Sequence, residues 1–173
     1  MANSPLGTPA LITLHWTAGS YTQTHDSYHF CVTGDGRSIN TLSLALKGSH
    51  AWGRNSGNIG VAMCCMANAR TMPTAKQIEE TAALVADLSA QFSISLTADK
   101  RIQRHKVLSG MRIPLDDWID VPLVTDHAAY ARADGYYPDR WDCGRYTDEI
   151  LKKALWYRDQ IADGKRKRRT WPC

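Results

Sequence analysis

The chain has no apolar run of the roughly 20 residues needed to cross a bilayer, so a membrane span is not expected. Its start, MANSPLGTPA, has no basic stretch followed by an apolar one, and so does not read as a secretory leader. Synthesis and folding in a cytoplasm are therefore expected. No Cys-x-x-Cys pair occurs, and the cysteines are an odd set of five: Cys31, Cys64, Cys65, Cys143 and Cys173. That excludes a cysteine-rich structural zinc site and argues against a disulfide scaffold. Cys64 and Cys65 are adjacent on a predicted strand, point to opposite faces and read as buried packing residues. There is no internal repeat and no domain linker.

What is present is enough for one compact domain. The chain has 173 residues, of which 43% are hydrophobic. Residues 1–9 read as a loose lead-in, 10–163 as the domain and 164–173 as a basic tail. The formal net charge is +4, and part of the excess sits in that tail, GKRKRRTWPC. The tail reads either as a polyanion-attracting segment or as a frayed, solvated terminus. Aromatics interleaved for base stacking are missing, so no nucleic-acid partner is expected. A monomer is expected.

ALITLH predicts a buried strand. YHFCVTGDGRSIN predicts a hairpin around a Gly-Asp-Gly turn, and the continuous apolar run NIGVAMCCM predicts a central strand. Thr74 is a candidate N-cap with Gln77 as its capping-box partner. Ile78, Val85, Leu88 and Phe92 follow at helical spacing. RIQRH predicts a short strand. Residues 106–139, with Pro114, Pro122 and Pro138, read as a long irregular segment that walls a site. Residues 147–163 predict a final amphipathic helix.

Three residues carry candidate chemistry. His15 closes an apolar run in LITLHWTAGS, His105 closes another in KRIQRH, and Asp142 lies in DRWDCG two residues after Arg140. Two imidazoles and a carboxylate, with a fourth position open, form the ligand set of a catalytic zinc site. Such a site generates hydroxide at neutral pH and polarises a carbonyl, which points to amide or ester hydrolysis. Arg140 sets a permanent cation beside the third ligand. Any one of these residues alone is a weak signal, because a histidine at a strand end is commonly structural.

The pieces LHWTAG, YHFCVTGDGR, SHAWGRNSGNIGVAM, a helix, RH and RWDCG, in that order, resemble the zinc-dependent N-acetylmuramoyl-L-alanine amidases. That family includes amidase-type phage lysins and peptidoglycan recognition proteins. The resemblance spans about residues 10–157. It implies a mixed α/β fold, a central mixed sheet flanked by helices in a single domain. It also implies one Zn2+ per chain in a groove that holds peptidoglycan. The reaction implied is cleavage of the amide between N-acetylmuramic acid and the L-alanine of the stem peptide. His15, His105 and Asp142 match the zinc ligands, with Cys143 as the rival third ligand. Tyr28 matches a tyrosine beside the zinc-bound water. His50 and Asn55 match a loop that contacts substrate, and Trp52 either stacks on a sugar or packs. His25, His29 and His127 match no ligand position.

The sequence departs from the family in three places. Ala62 stands where a second subgroup has a strand glutamate. The segment from His15 to Tyr28 is short. The stretch from His105 to Asp142 is long where relatives need only a brief loop. A phage lysin is the expected setting. A muropeptide-recycling amidase, a non-catalytic peptidoglycan-binding protein and a regulator acting through the basic tail are the alternatives.

Overall fold

A computed structural model describes residues 4–65, 71–108, 111–135 and 143–173. Five strands build the main sheet: β1 (Leu11–Trp16), β2 (Phe30–Val32), β3 (Ser38–Asn40), β4 (Asn58–Met63) and β7 (Val124–Asp126). Their spatial order is β3-β2-β4-β1-β7. β1 runs parallel to β4 and β7, and β2 runs parallel to β4, while β3 returns antiparallel on β2. The sheet is therefore mixed. β1 and β4 are buried along their whole length, as their continuous apolar runs require of central strands.

Alternation divides β1 and β4 into two faces. Ile12, Leu14 and Trp16 of β1, with Ile59, Val61 and Met63 of β4, enter the main core. There they meet Leu84 and Leu88 of α1 (Ala75–Phe92) and Ile150 of α3 (Thr147–Ala162). The opposite face carries polar groups: Thr13 and His15 of β1, Asn58 and Gly60 of β4, and Thr125 of β7, which pairs with Thr13. Cys65 joins the main core, and Cys64 packs with Cys31 and Ala62 in a separate cluster, so the adjacent thiols do part to different faces.

α1 begins with the expected capping box. Thr74 Oγ1 accepts from the Gln77 amide at 3.1 Å, and Gln77 Oε1 accepts from the Thr74 amide at 2.9 Å. The same Gln77 side chain donates through Nε2 to the carbonyls of Val32 and Cys64, each at 3.0 Å. One buried amide thus caps the helix and fastens it to β2 and to the residue that follows β4.

Residues 106–139 are not irregular where they are described. β5 (Asp99–Leu108) and β6 (Met111–Pro122) form a long antiparallel ribbon, followed by β7 and by α2 (His127–Ala133). Pro114 falls opposite His105 beside the irregularity in the ribbon, where a missing amide donor is tolerated. The ribbon is held at its base by Asp134, whose side chain is fully buried. Arg54 donates to both carboxylate oxygens at 2.7 Å, Arg112 to Oδ2 at 2.6 Å and the His105 amide to Oδ1 at 3.0 Å.

The basic terminus is not a solvated tail either. Arg166 forms a fork on Asp87 of α1 at 2.6 and 2.7 Å, and Arg169 Nε reaches the same carboxylate at 2.6 Å. Arg169 also pairs with Glu80, and Trp171 packs edge-on against Phe30 with ring centres 5.0 Å apart. The Asp87 side chain is fully buried, which explains why an apolar helix face carries an acid. Arg166→Ala leaves Asp87 with Arg169 alone, and we expect a loss of about 1–2 kcal/mol in urea unfolding. An unchanged midpoint would show that Arg169 alone satisfies the carboxylate.

Candidate metal centre

His15 lies near the end of β1 on the polar face and is 2% exposed. Three rings surround it. The centre of the Tyr28 ring is 5.0 Å away, that of His50 5.1 Å and that of His127 5.2 Å. His127 arrives there through strand register. Thr13 pairs with Thr125 and Leu14 with Asp126 in parallel β1 and β7, so the next residue of each chain is a histidine. Asp126 is also the N-cap of α2, its Oδ1 accepting from the Ala129 amide at 2.8 Å, which ends the strand at that point.

His50 reaches the cluster from the loop before β4. Its Nδ1 lies 3.0 Å from His15 Nε2, and its Nε2 lies 3.1 Å from the Asn58 carbonyl. Burial, then the neighbouring His15, hold the His50 imidazole well below its ordinary pKa, so it is neutral at pH 7. Asn55 holds this loop: its Oδ1 accepts from the backbone amides of His50 at 3.1 Å and Ala51 at 2.7 Å. Tyr28 is partly buried, and its hydroxyl makes a long 3.4 Å contact with the Trp16 carbonyl. Beside the cluster is a cavity of about 320 Å³ lined by Ser49, His50, Trp52, Asn55, Arg112 and His127. Trp52 does not pack away: it is 51% exposed, with the Arg112 guanidinium 4.9 Å from its ring centre.

The structure does not bring His105 to His15. His105 stands on β5, with Nδ1 3.1 Å from Arg54 and 3.8 Å from Asp134, and it lines a different cavity with Trp118. Burial, then the Arg54 charge, lower its pKa. The residue beside His15 is instead His127, for which the resemblance offers no role. Its signal was present in the sequence: VPLVTDH ends an apolar run in histidine, as ALITLH does. Arg140 and Asp142 lie outside the described residues. Among the described residues, no group of three histidine, cysteine, aspartate or glutamate side chains is arranged to hold a metal. Cys143 is buried in the main core, with its thiol 3.9 Å from Thr147 Oγ1. No carboxylate stands on β4 beside His15, whose register partner is Ala62.

The two imidazoles of His15 and His127 fit a shared zinc ion. With Zn–N bonds of about 2 Å and a tetrahedral angle, two ligating rings have centres roughly 5 Å apart. The observed separation is 5.2 Å. On the sequence resemblance, Asp142 is the carboxylate that would complete such a set.

The sequence model of the N-acetylmuramoyl-L-alanine amidases matches residues 5–128. No curated protein matches the chain. Among solved structures, the chain is similar to the Ph2119 endolysin from Thermus scotoductus bacteriophage Ph2119. The two share 15% identity over 88% of this chain and 89% of that one, with a TM-score of 0.58. It is also similar to the amidase LysC of Clostridium intestinale, at 16% identity over 90% and 91% of the two chains and a TM-score of 0.57. A third is a complex of tracheal cytotoxin with the peptidoglycan recognition proteins LCa and LCx. There the identity is 16% over 88% and 87%, with a TM-score of 0.56. At these identities the similarity is one of fold, and it agrees with a single mixed sheet flanked by helices.

Proposed function

Because this chain belongs to the N-acetylmuramoyl-L-alanine amidase family, we propose that it is a zinc-dependent peptidoglycan hydrolase. The bond cut is the amide between N-acetylmuramic acid and the L-alanine of the stem peptide, and the setting is that of a phage endolysin. The observation that carries this reading is the pairing of His15 with His127 at adjoining parallel strand ends, with Tyr28 against His15.

His15 and His127 would hold the zinc, with Asp142 as the third ligand carried over from the sequence. This moves the second ligand from His105 to His127 and also removes a departure from the family. His105 precedes Asp142 by 37 positions (142 minus 105), whereas His127 precedes it by only 15 (142 minus 127). When bound, the metal supplies an activated water and polarises the scissile carbonyl. The Tyr28 hydroxyl would orient the attacking water and donate to the oxygen that becomes negative at the tetrahedral stage. Arg140, two residues before Asp142 in the sequence, would add a fixed positive charge for the same oxygen and keep its proton. The Trp52–Arg112 wall gives the glycan and peptide an amphipathic surface beside the bond.

The test is zinc content and released alanine amino termini, measured on intact wall and on soluble muropeptide, with and without a chelator. About one zinc per chain and chelator-sensitive release from intact wall are expected. Release from muropeptide alone would make the protein a recycling amidase. Zinc without release would make it a binding protein. Tyr28→Phe keeps the zinc and slows turnover by about a hundredfold. Unchanged turnover would remove Tyr28 from the chemistry.

A further inference from the structure

We propose that His50 is a positioning residue for the metal centre: it accepts the Nε2 proton of His15 and so presents Nδ1 of His15 to the metal. The inference rests on the zinc reading above and extends it to single atoms.

The argument begins at a backbone carbonyl. The oxygen of Asn58 only accepts, so the His50 Nε2 that lies 3.1 Å from it carries a proton. A neutral imidazole holds one ring proton, which leaves Nδ1 of His50 as an acceptor. The atom 3.0 Å from that acceptor is His15 Nε2, which must then be the protonated nitrogen of its own ring. The remaining lone pair of a neutral His15 is on Nδ1. A chain runs from carbonyl to imidazole to imidazole, and it sets the lone pair of His15 on Nδ1, a nitrogen able to bind a metal.

The surroundings hold His50 in this pose. A Cβ at Gly60 of β4 would come within 2.7 Å of the His50 ring, and one at Gly48 within 2.9 Å of its Cδ2. Asn55 fixes the backbone amide of His50. The neighbouring His29 is set independently: its Nε2 lies 2.9 Å from the Leu46 carbonyl, and its Nδ1 accepts from the Gly60 amide at 3.0 Å. Of these two buried histidines, only His50 turns a nitrogen toward His15. Both nitrogens of His50 are engaged within the protein, so its place in the substrate-contacting motif reflects support of His15.

The experiment combines nitrogen NMR of the ring tautomers with zinc competition against a chromophoric chelator. In the zinc-free protein, His15 and His50 should both be Nε2–H tautomers, and zinc should shift Nδ1 of His15. His50→Leu removes the acceptor and should weaken zinc binding by about 10–100-fold. His50→Gln, whose amide oxygen and nitrogen can replace Nδ1 and Nε2, should restore binding to within a few-fold of wild type. If His50→Leu does not fold, the wild-type tautomers and the glutamine variant still decide. An Nδ1–H tautomer for His15, zinc bound through its Nε2, or a leucine variant that folds and binds zinc like wild type would overturn the inference and leave the amidase reading standing. A wild-type protein that binds no zinc would overturn both.

Discussion

His15→Ala and His127→Ala should each reduce release of alanine amino termini from peptidoglycan by about a thousandfold or more, since on the proposed zinc reading each would remove several kcal/mol of transition-state stabilisation. Bound zinc falls with activity in both variants. His105→Ala, by contrast, keeps its zinc and most of its turnover. The contrast follows from placement. His15 lies near the end of β1 and His127 opens α2 directly after the paired strand β7, with ring centres 5.2 Å apart. His105 sits on the ribbon against Arg54 and Asp134. The fold of the His15 variant should survive, because that side chain lies on the polar face and outside the main apolar core. A His105 variant without zinc, or a His127 variant with normal zinc and turnover, would return the second ligand to His105.

Asp134→Ala should cost about 3–5 kcal/mol of unfolding free energy, the usual penalty for removing one partner of a buried ion pair. Both guanidiniums that lean on Asp134 are nearly buried, at 7% side-chain exposure each, and the variant leaves them facing one another without the carboxylate. At about 2–4 °C per kcal/mol for a chain of this size, the melting temperature falls by roughly 10 °C. Burial by itself would raise the Asp134 pKa, but hydrogen bonds from Arg54 and the His105 amide, with the Arg54 and Arg112 charges, hold it below the usual carboxylate value. The clamp therefore contributes in full above the unfolded aspartate pKa of about 4 and is lost as pH falls through the lower folded value. The difference in unfolding free energy between wild type and variant should be largest at pH 7 and shrink as the pH is lowered below about 4. A difference under about 1 kcal/mol at pH 7 would mean that the ribbon is held by its apolar contacts with Ala51 and Tyr130 instead.

The elements legible in the sequence are those whose burial is one-sided or complete. β1 and β4 showed as short, mostly apolar runs because central strands are buried along their whole length. α1 showed as a helical period behind a Thr-x-x-Gln cap, and both halves of that cap form. β6 did not show. Its sequence, MRIPLDDWIDVP, is exposed along most of its length, so neither face imposes a period, and Pro114 reads as a strand breaker. The tail misled for a related reason. A run of cations looks solvated unless the reader knows that a buried Asp87 on α1 awaits Arg166 and Arg169.

The sequence by itself determined the family, the mixed sheet with its helices, and the identity of His15 and Tyr28 as neighbours in one site. The family, the sheet type and the place of Tyr28 came through the resemblance that the motifs carry, while the strands and the helix cap follow from local runs and turns, whose physics acts over a few residues. Tertiary structure alone decided which later histidine meets His15, which nitrogen of His50 faces it, and what holds the ribbon and the terminus. Strand register brings His127 to His15 across 112 positions (127 minus 15). The buried carboxylates Asp134 and Asp87 draw in arginines that are distant in the chain, because a charge removed from water must find its partner wherever the fold supplies one.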